Sequence, residues 1–282
     1  MTIAVTSVSG QLGASISHAL ISLNFDERII GLARSPGKVS DLGMEIRAGD
    51  YTDRNQLQTS LQGVDSLLLV SGNTSPEARI GQHRNVIEAA KAAAVKRIVY
   101  TSIQGAEEGT AFSPIVQSNR QTEADIRASG LDWVIGRNGI YIEPDVEYID
   151  SYRKTGGIAN SAGAGRCAYT TRSELAFAYA QLLTQTRHSF QTYNLHGDLL
   201  TQSQLVEHMN KAFGTELQYR AMSHQAFKAD RIAELGEFMG TVIAGIYQGI
   251  HDGALDRSSD FEQATGRTHL GWDDYFATLN KQ

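Results

Sequence analysis

Cysteine occurs once in the 282-residue chain, at Cys167, so no internal disulfide can form. A lone thiol without a flanking partner motif suits a small packed residue and a reducing compartment, and a cytoplasmic protein is expected. Proline occurs four times, which leaves no proline-rich linker, and no repeat or low-complexity segment is present. No apolar run approaches the roughly 18 residues that a membrane-spanning helix needs. Met1–Gly10 lacks the basic start of a signal peptide. No membrane partner is therefore expected. A net charge of −6 argues against nucleic acid as a partner, since a phosphate backbone needs a basic face. None of the eight histidines stands at a metal-binding spacing from another histidine or the cysteine, so no metal site is expected. A Gly-x-Ser-x-Gly nucleophile turn and a phosphate loop with its Lys-Ser or Lys-Thr are also missing.

The first half of the chain alternates short β-branched runs with longer helical stretches. Strands are expected at Thr2–Thr6, Arg28–Leu32, Ile46–Ala48, Ser66–Val70, Arg97–Ser102 and Trp133–Arg137. Helices are expected at Gln11–Leu23, around Pro36–Leu42, near Arg54–Leu61, and at Pro76–Ala94 and Ser118–Ala128. Ser66–Val70 is almost wholly apolar, as a parallel strand covered on both faces should be. Repeated β–α alternation requires right-handed crossovers and gives an α/β, Rossmann-type doubly wound parallel sheet. After about Tyr141 the rhythm changes. Residues 1–140 are expected to form the dinucleotide-binding domain, with a returning strand near 192–197. Residues 141–282 should mainly build a smaller α/β substrate lobe, using helices at Ser173–Leu183 and Gln202–Phe213, a strand at Leu217–Ala221, helices through Tyr247, and Asp273–Leu279. Such a lobe is well placed to roof the crevice at the carboxyl ends of the strands, where open α/β sheets bind ligands.

The first strand ends in Thr6-Ser7-Val8-Ser9-Gly10-Gln11-Leu12-Gly13 before the first helix. A tight turn here brings the backbone close to a pyrophosphate, and the helix tip offers free N–H groups and partial positive charge. Gly10 and Gly13 suit that close approach. Where the second strand meets the adenosine ribose, an acid would accept from the 2′-hydroxyl and reject a 2′-phosphate. The sequence instead runs Gly31-Leu32-Ala33-Arg34-Ser35-Pro36-Gly37-Lys38. Arg34, with Ser35 and Lys38 in reach, can grip a 2′-phosphate, so NADP(H) is the expected cofactor. Asp50, just past the third strand, is placed either to accept from the adenine amino group or to sit in a solvated turn.

These residues, together with Gln82-His83-Arg84-Asn85-Val86-Ile87, Tyr100-Thr101-Ser102 and Arg137-Asn138-Gly139-Ile140-Tyr141, carry a family resemblance. The chain resembles the NmrA-like branch of the atypical short-chain dehydrogenase/reductases, in particular its bacterial quinone-reductase and triphenylmethane-dye-reductase type. The likeness runs nearly end to end, taking in Thr192-Tyr193-Asn194-Leu195 and the stretch from Ile246 to Asp260. It implies an NADPH-binding core and a cleft for quinones or similar planar acceptors. It implies cofactor contacts from Thr6, Ser7, Ser9, Gly10, Gln11 and Leu12, from Arg34, from Ser71, Gly72 and Asn73, from Thr101 and Ser102, and from Asn138, Gly139 and Ile140. Two departures stand out. The first turn glycine of the family is Ser7, and the helix Ser118-Asn119-Arg120-Gln121-Thr122-Glu123 lacks the His or Lys that relatives often carry. His83 is expected to pack in its helix or to cap the site.

A conventional short-chain dehydrogenase protonates its alkoxide with a Tyr activated by a Lys four residues on. None of the 11 tyrosines has a lysine at that spacing, which speaks against ketone or sugar redox chemistry. Hydride transfer to an already electrophilic quinone asks mainly for positioning. Asn138 and Tyr141 follow the sixth strand, and Tyr141 is expected to serve as a donor or stacking face toward a quinone-like acceptor. A non-catalytic NADP(H) sensor fits the missing Tyr–Lys pair equally well. Composition does not fix the number of subunits, and a homodimer is compatible with it.

Overall fold

Apolar strands flanked by amphipathic helices can bury both faces only inside a layered sheet, and that is the architecture of the computed structural model. It describes residues 1–23, 27–39 and 41–279. The strands β1 (Thr2–Val5), β2 (Arg28–Ala33), β3 (Glu45–Ala48), β4 (Ser66–Val70), β5 (Arg97–Ile103) and β6 (Asp132–Asn138) alternate with helices. Those helices are α1 (Gln11–Ser22), α2 (Arg54–Ser60), α3 (Pro76–Ala92) and α4 (Ser113–Arg127). The chain then leaves the sheet through β7 (Ile140–Tyr141), α5 (Glu143–Glu147), α6 (Ile149–Thr155), β8 (Gly157–Asn160), β9 (Tyr169–Thr170) and α7 (Arg172–Thr184). It returns as β10 (Gln191–Leu195), which pairs with β6 in parallel. The remainder is α8 (Gln202–Phe213), β11 (Gln218–Ala221), α9 (His224–Leu235), α10 (Glu237–His251), α11 (Phe261–Thr265) and α12 (Trp272–Leu279).

The main sheet has seven strands in the order β10-β6-β5-β4-β1-β2-β3, all parallel. The order reverses between β1 and β4, so a crevice opens there at the carboxyl edge. One face is covered by α1 and α7 through Ile16, Leu20, Leu175, Tyr179 and Leu182. The other is covered by α2, α3 and α4 through Leu57, Val86, Ile87, Ala90 and Ile126. A separate cluster around Ile142, Ile158, Tyr169, Met209, Ile250 and Phe276 forms the core of the later segments. No described helix is long and apolar enough to cross a membrane.

Two expected helices differ from what is found. The stretch around Pro36–Leu42 contains only a single 3-10 turn at Pro36–Lys38, none of whose residues is buried. With Gly37 following Pro36 and no apolar stripe to pack, propensity and burial both fail there; Ser40 lies outside the described residues. The helix expected from Ser118 starts at Ser113, with Pro114 in its first turn where a fixed φ favours initiation. The segment leading to Tyr247 divides into α9 and α10 at Gly236, whose φ is 80°.

On α4, Glu123 is fully buried yet surrounded by three guanidiniums. Its carboxylate accepts from Arg120 at 2.9 Å, Arg127 at 3.1 Å, Arg137 at 2.7 Å and Ser102 at 2.7 Å. Burial alone would raise the carboxyl pKa, but the bonds from Arg137 and Ser102 and the arginine charges hold it below the usual range. This network ties α4 to the carboxyl ends of β5 and β6. Replacing Glu123 by Gln should cost ~3 kcal/mol in urea unfolding at neutral pH. The wild-type advantage should be present above the unfolded carboxyl pKa and vanish as pH falls through the depressed folded value. An advantage independent of pH would show that Glu123 is not ionised.

Candidate dinucleotide and acceptor site

The turn after β1 is shaped by crowding. A Cβ on Gly13 would stand 2.5 Å from the carbonyl oxygen of Ser7, so only glycine lets α1 start this close to the strand. Ser7 itself sits at φ 54°, in the left-handed region where glycine is favoured. The departure expected at this position is therefore a conformational one: the serine adopts the backbone a glycine would. Its hydroxyl lies 3.0 Å from the Tyr51 hydroxyl. Tyr51 in turn donates to the carbonyl of Val70 at 2.8 Å and reaches Thr6 Oγ1, and burial pushes its pKa up to about 12. Thr6 is wholly buried, its Oγ1 also accepting from the Val70 N–H at 2.9 Å, so its side chain braces the turn. Gly10 is the N-cap of α1. No side chain caps the helix and its first turn carries no carboxylate. These free N–H groups fit an anion such as a pyrophosphate.

Ser7, Gly10, Gln11, Leu12 and Gly13 face one cavity of about 740 Å³. The same cavity is lined by Ser71, Gly72 and Asn73 after β4, by Thr101 and Ser102 of β5, and by Asn138, Gly139, Ile140 and Tyr141 after β6. Ser9, Arg34 and Lys38 lie outside it, on exposed ground. Asp50 is half-buried, beyond β3; its pKa is lowered by the backbone and hydroxyl of Thr52 and, less strongly, by the charge of Arg34. Arg34 and Asp50 thus lie close enough for the charge of one to bear on the other.

The 71–74 loop is clamped. The N–H of Ser71 donates to Thr101 Oγ1 at 2.8 Å, and that of Gly72 donates to His83 Nε2 at 2.9 Å. His83 must then carry its proton on Nδ1, which lies 2.9 Å from Thr122 Oγ1. Burial, helped by the charge of Arg79, lowers the His83 pKa to about 3, so the ring stays neutral. Arg79 holds the carbonyls of Gly72 at 2.8 Å and Thr74 at 3.2 Å. His83 therefore packs in its helix and caps the loop at once.

Thr101 and Ser102 differ in what they offer. Thr101 Oγ1 accepts from the Ser71 N–H, leaving its own proton free, whereas the Ser102 hydroxyl donates to Glu123. The Asn138 side chain is held by the Tyr179 hydroxyl and reaches the Tyr141 hydroxyl at 3.5 Å. A Cβ on Gly139 would meet the carbonyl of Ala168 at 2.2 Å, which fixes the short bridge from β6 to β7. Tyr141 has the Arg172 guanidinium 5.4 Å from its ring centroid, and burial raises its pKa.

The opposite wall was not foreseen. It consists of Tyr148, Tyr152, Ile158, Phe227, Ile246 and Tyr247, with the carboxyl of Asp145 among them. Asp145 is four residues after Tyr141, the spacing that separates Tyr from Lys in a conventional short-chain dehydrogenase. Among the described residues, no group of three His, Cys, Asp or Glu side chains could hold a metal ion.

A family described as NAD(P)H-binding matches residues 8–186. The chain belongs to this family. The resemblance to the NmrA-like quinone- and dye-reductase type is borne out as well. Quinone oxidoreductase 2 of Escherichia coli strain K12 is 35% identical over 231 residues, 80% of each chain. The structure of the Escherichia coli NADPH-dependent quinone oxidoreductase complexed with NADPH gives a TM-score of 0.90 at 30% identity, covering 98% of this chain and 99% of that one. Triphenylmethane reductase from Citrobacter sp. gives a TM-score of 0.91 at 31% identity over 100% of both chains.

Relief of the Ser7 backbone offers a direct check of the turn. Ser7→Gly should leave stability equal or improved by up to about 1 kcal/mol, the lost hydroxyl contact offsetting relieved strain. Ser7→Ala keeps the strain and loses the contact, and should be less stable by about 1 kcal/mol. Denaturant titration of the two variants would refute this account if alanine were the better replacement.

Proposed function

We propose that the chain is an NADPH-dependent reductase that passes a hydride directly to quinones or related conjugated acceptors. One observation carries the reading: a single cavity of about 740 Å³ is lined both by the strand-end turns and by the aromatic side chains of the later segments. In this reading residues 1–140 mainly hold the cofactor and residues 141–282 mainly hold the acceptor. The N–H groups at the tip of α1, with Ser7, Gly10, Gln11 and Leu12, take the pyrophosphate. Arg34 and Lys38 take the 2′-phosphate and Asp50 the adenine. Ser71, Gly72, Asn73 and Thr101, together with Asn138, Gly139 and Ile140, border the nicotinamide end. Bound NADPH supplies the hydride; the protein fixes the distance and angle at which the acceptor meets it. Tyr141, steadied by Asn138 and Arg172, presents a ring face and a hydroxyl to the acceptor.

The missing Tyr–Lys pair is no obstacle to this chemistry, because a quinone is electrophilic before it binds. A purely NADP(H)-sensing role leaves the aromatic wall without a purpose, and the named relatives are reductases. Loss of NADPH absorbance on adding a panel of simple quinones tests the proposal. NADP(H) binding without turnover across the panel would defeat it. Arg34→Ala should weaken NADPH by about tenfold or more while changing NADH little, as expected for loss of a charge-assisted phosphate contact. Equal losses for the two coenzymes would remove Arg34 from the account. Tyr141→Ala should depress quinone turnover while leaving NADPH affinity nearly intact, and an unchanged rate would take Tyr141 out of the acceptor site.

A further inference from the structure

Hydride reduction of a quinone also needs a proton, and the structure places a buried carboxyl group on the acceptor wall without a cation beside it. We infer that Asp145 holds that proton on Oδ1 and that the Tyr152 and Tyr247 hydroxyls hand it to the reduced acceptor. This rests on the reductase reading above.

The hydrogen-bond polarity leads to Oδ1. The backbone N–H of Ala162 can only donate, and it donates to Asn160 Oδ1 at 3.1 Å. Asn160 must then donate through Nδ2 to Gln202 Oε1 at 2.8 Å, and Gln202 through Nε2 to the Tyr169 oxygen at 3.0 Å. Tyr169 is left with its own proton, which it donates to Asp145 Oδ2 at 2.9 Å. Oδ2 is thereby a committed acceptor. Oδ1 lies 3.1 Å from the Tyr152 hydroxyl and 3.3 Å from that of Tyr247, and both of these tyrosines line the cavity.

The groups facing Asp145 are Tyr152 on α6, Tyr169 on β9, Tyr247 on α10 and the thiol of Cys167. No described salt bridge includes Asp145; Arg231, whose charge bears on Tyr152, is paired with Asp230 at 2.7 Å and Glu234 at 2.6 Å. Burial raises the Asp145 pKa, against the three phenolic hydrogen bonds, in keeping with a retained proton.

The step balances. As the acceptor takes up a hydride, oxidising the coenzyme, an oxyanion develops on it. An O–H bond forms there as the tyrosine O–H breaks, and the tyrosine regains its proton as the Asp145 O–H breaks. Asp145 is left as a carboxylate and is reprotonated from solvent.

Asp145→Asn is nearly isosteric but has no acidic proton, and should reduce quinone turnover about a hundredfold with unchanged NADPH affinity. The wild-type rate should fall as pH rises through the elevated Asp145 pKa, since only the protonated form can donate. Asp145→Asn should lose that limb and Asp145→Glu should restore it. The Tyr152→Phe/Tyr247→Phe pair, which keeps Asp145 and so guards against a folding failure of the first variant, should show a similar loss of rate. Infrared difference spectra at neutral pH should show a protonated-carboxyl band absent from Asp145→Asn. A full rate with a wild-type pH profile in Asp145→Asn, a full rate in the double tyrosine variant, or a carboxylate band alone would overturn the inference. Should the wild type reduce no quinone, the reductase reading fails by itself, and the infrared band alone decides whether Asp145 holds a proton.

Discussion

Between β1 and α1 there is no space for a side chain, and much of the molecule follows from that restriction. Because a Cβ at Gly13 would collide with the Ser7 carbonyl, the helix starts almost against the sheet. Its uncapped N–H groups then lie at the carboxyl edge, where the strand order reverses. Ser7 accepts a left-handed backbone to make the turn, and Tyr51 braces it from beneath through Thr6 and the Val70 carbonyl. The β4 loop is fixed in its turn by His83 and Arg79. The strand-end side of the crevice is therefore held by backbone geometry and hydrogen bonds, those of the Arg79 guanidinium among them.

Two buried carboxyl groups show how surroundings decide chemistry. Glu123 meets three guanidiniums and is held ionised, a structural tie between α4 and the sheet. Asp145 meets three phenols and no guanidinium, and its pKa is raised. Both residues are buried acids; the difference lies in whether positive charge is buried with them.

The sheet was readable in the chain because alternation and apolar runs are local signals. β4 is buried along its whole length, as its composition demands. The glycine turn and Arg34 were legible as candidates for a similar reason, each following directly on the end of a strand, and Tyr141 stands three residues after β6. The acid on the acceptor wall was not. Its hydroxyl partners lie 7, 24 and 102 residues away, on separate elements, and no spacing rule connects them. Only the fold shows that the Ser102 hydroxyl, on the cavity wall, donates to Glu123. The one local feature of Asp145 is its position four residues after Tyr141.

The excursion that begins at Ile140 rejoins the sheet as β10, alongside β6, the strand from which it departed. Both ends of this excursion are thus fixed at one side of the sheet, and its last helix, α7, packs back onto the sheet through Leu175, Tyr179 and Leu182. The aromatic wall comes from α6 of this excursion and from α9 and α10 beyond β10, none of which gives a strand to the main sheet, so substitutions there can reshape the crevice while the strand ends stay in place. Under the proposed reductase reading, the choice of acceptor could therefore change with those helices alone.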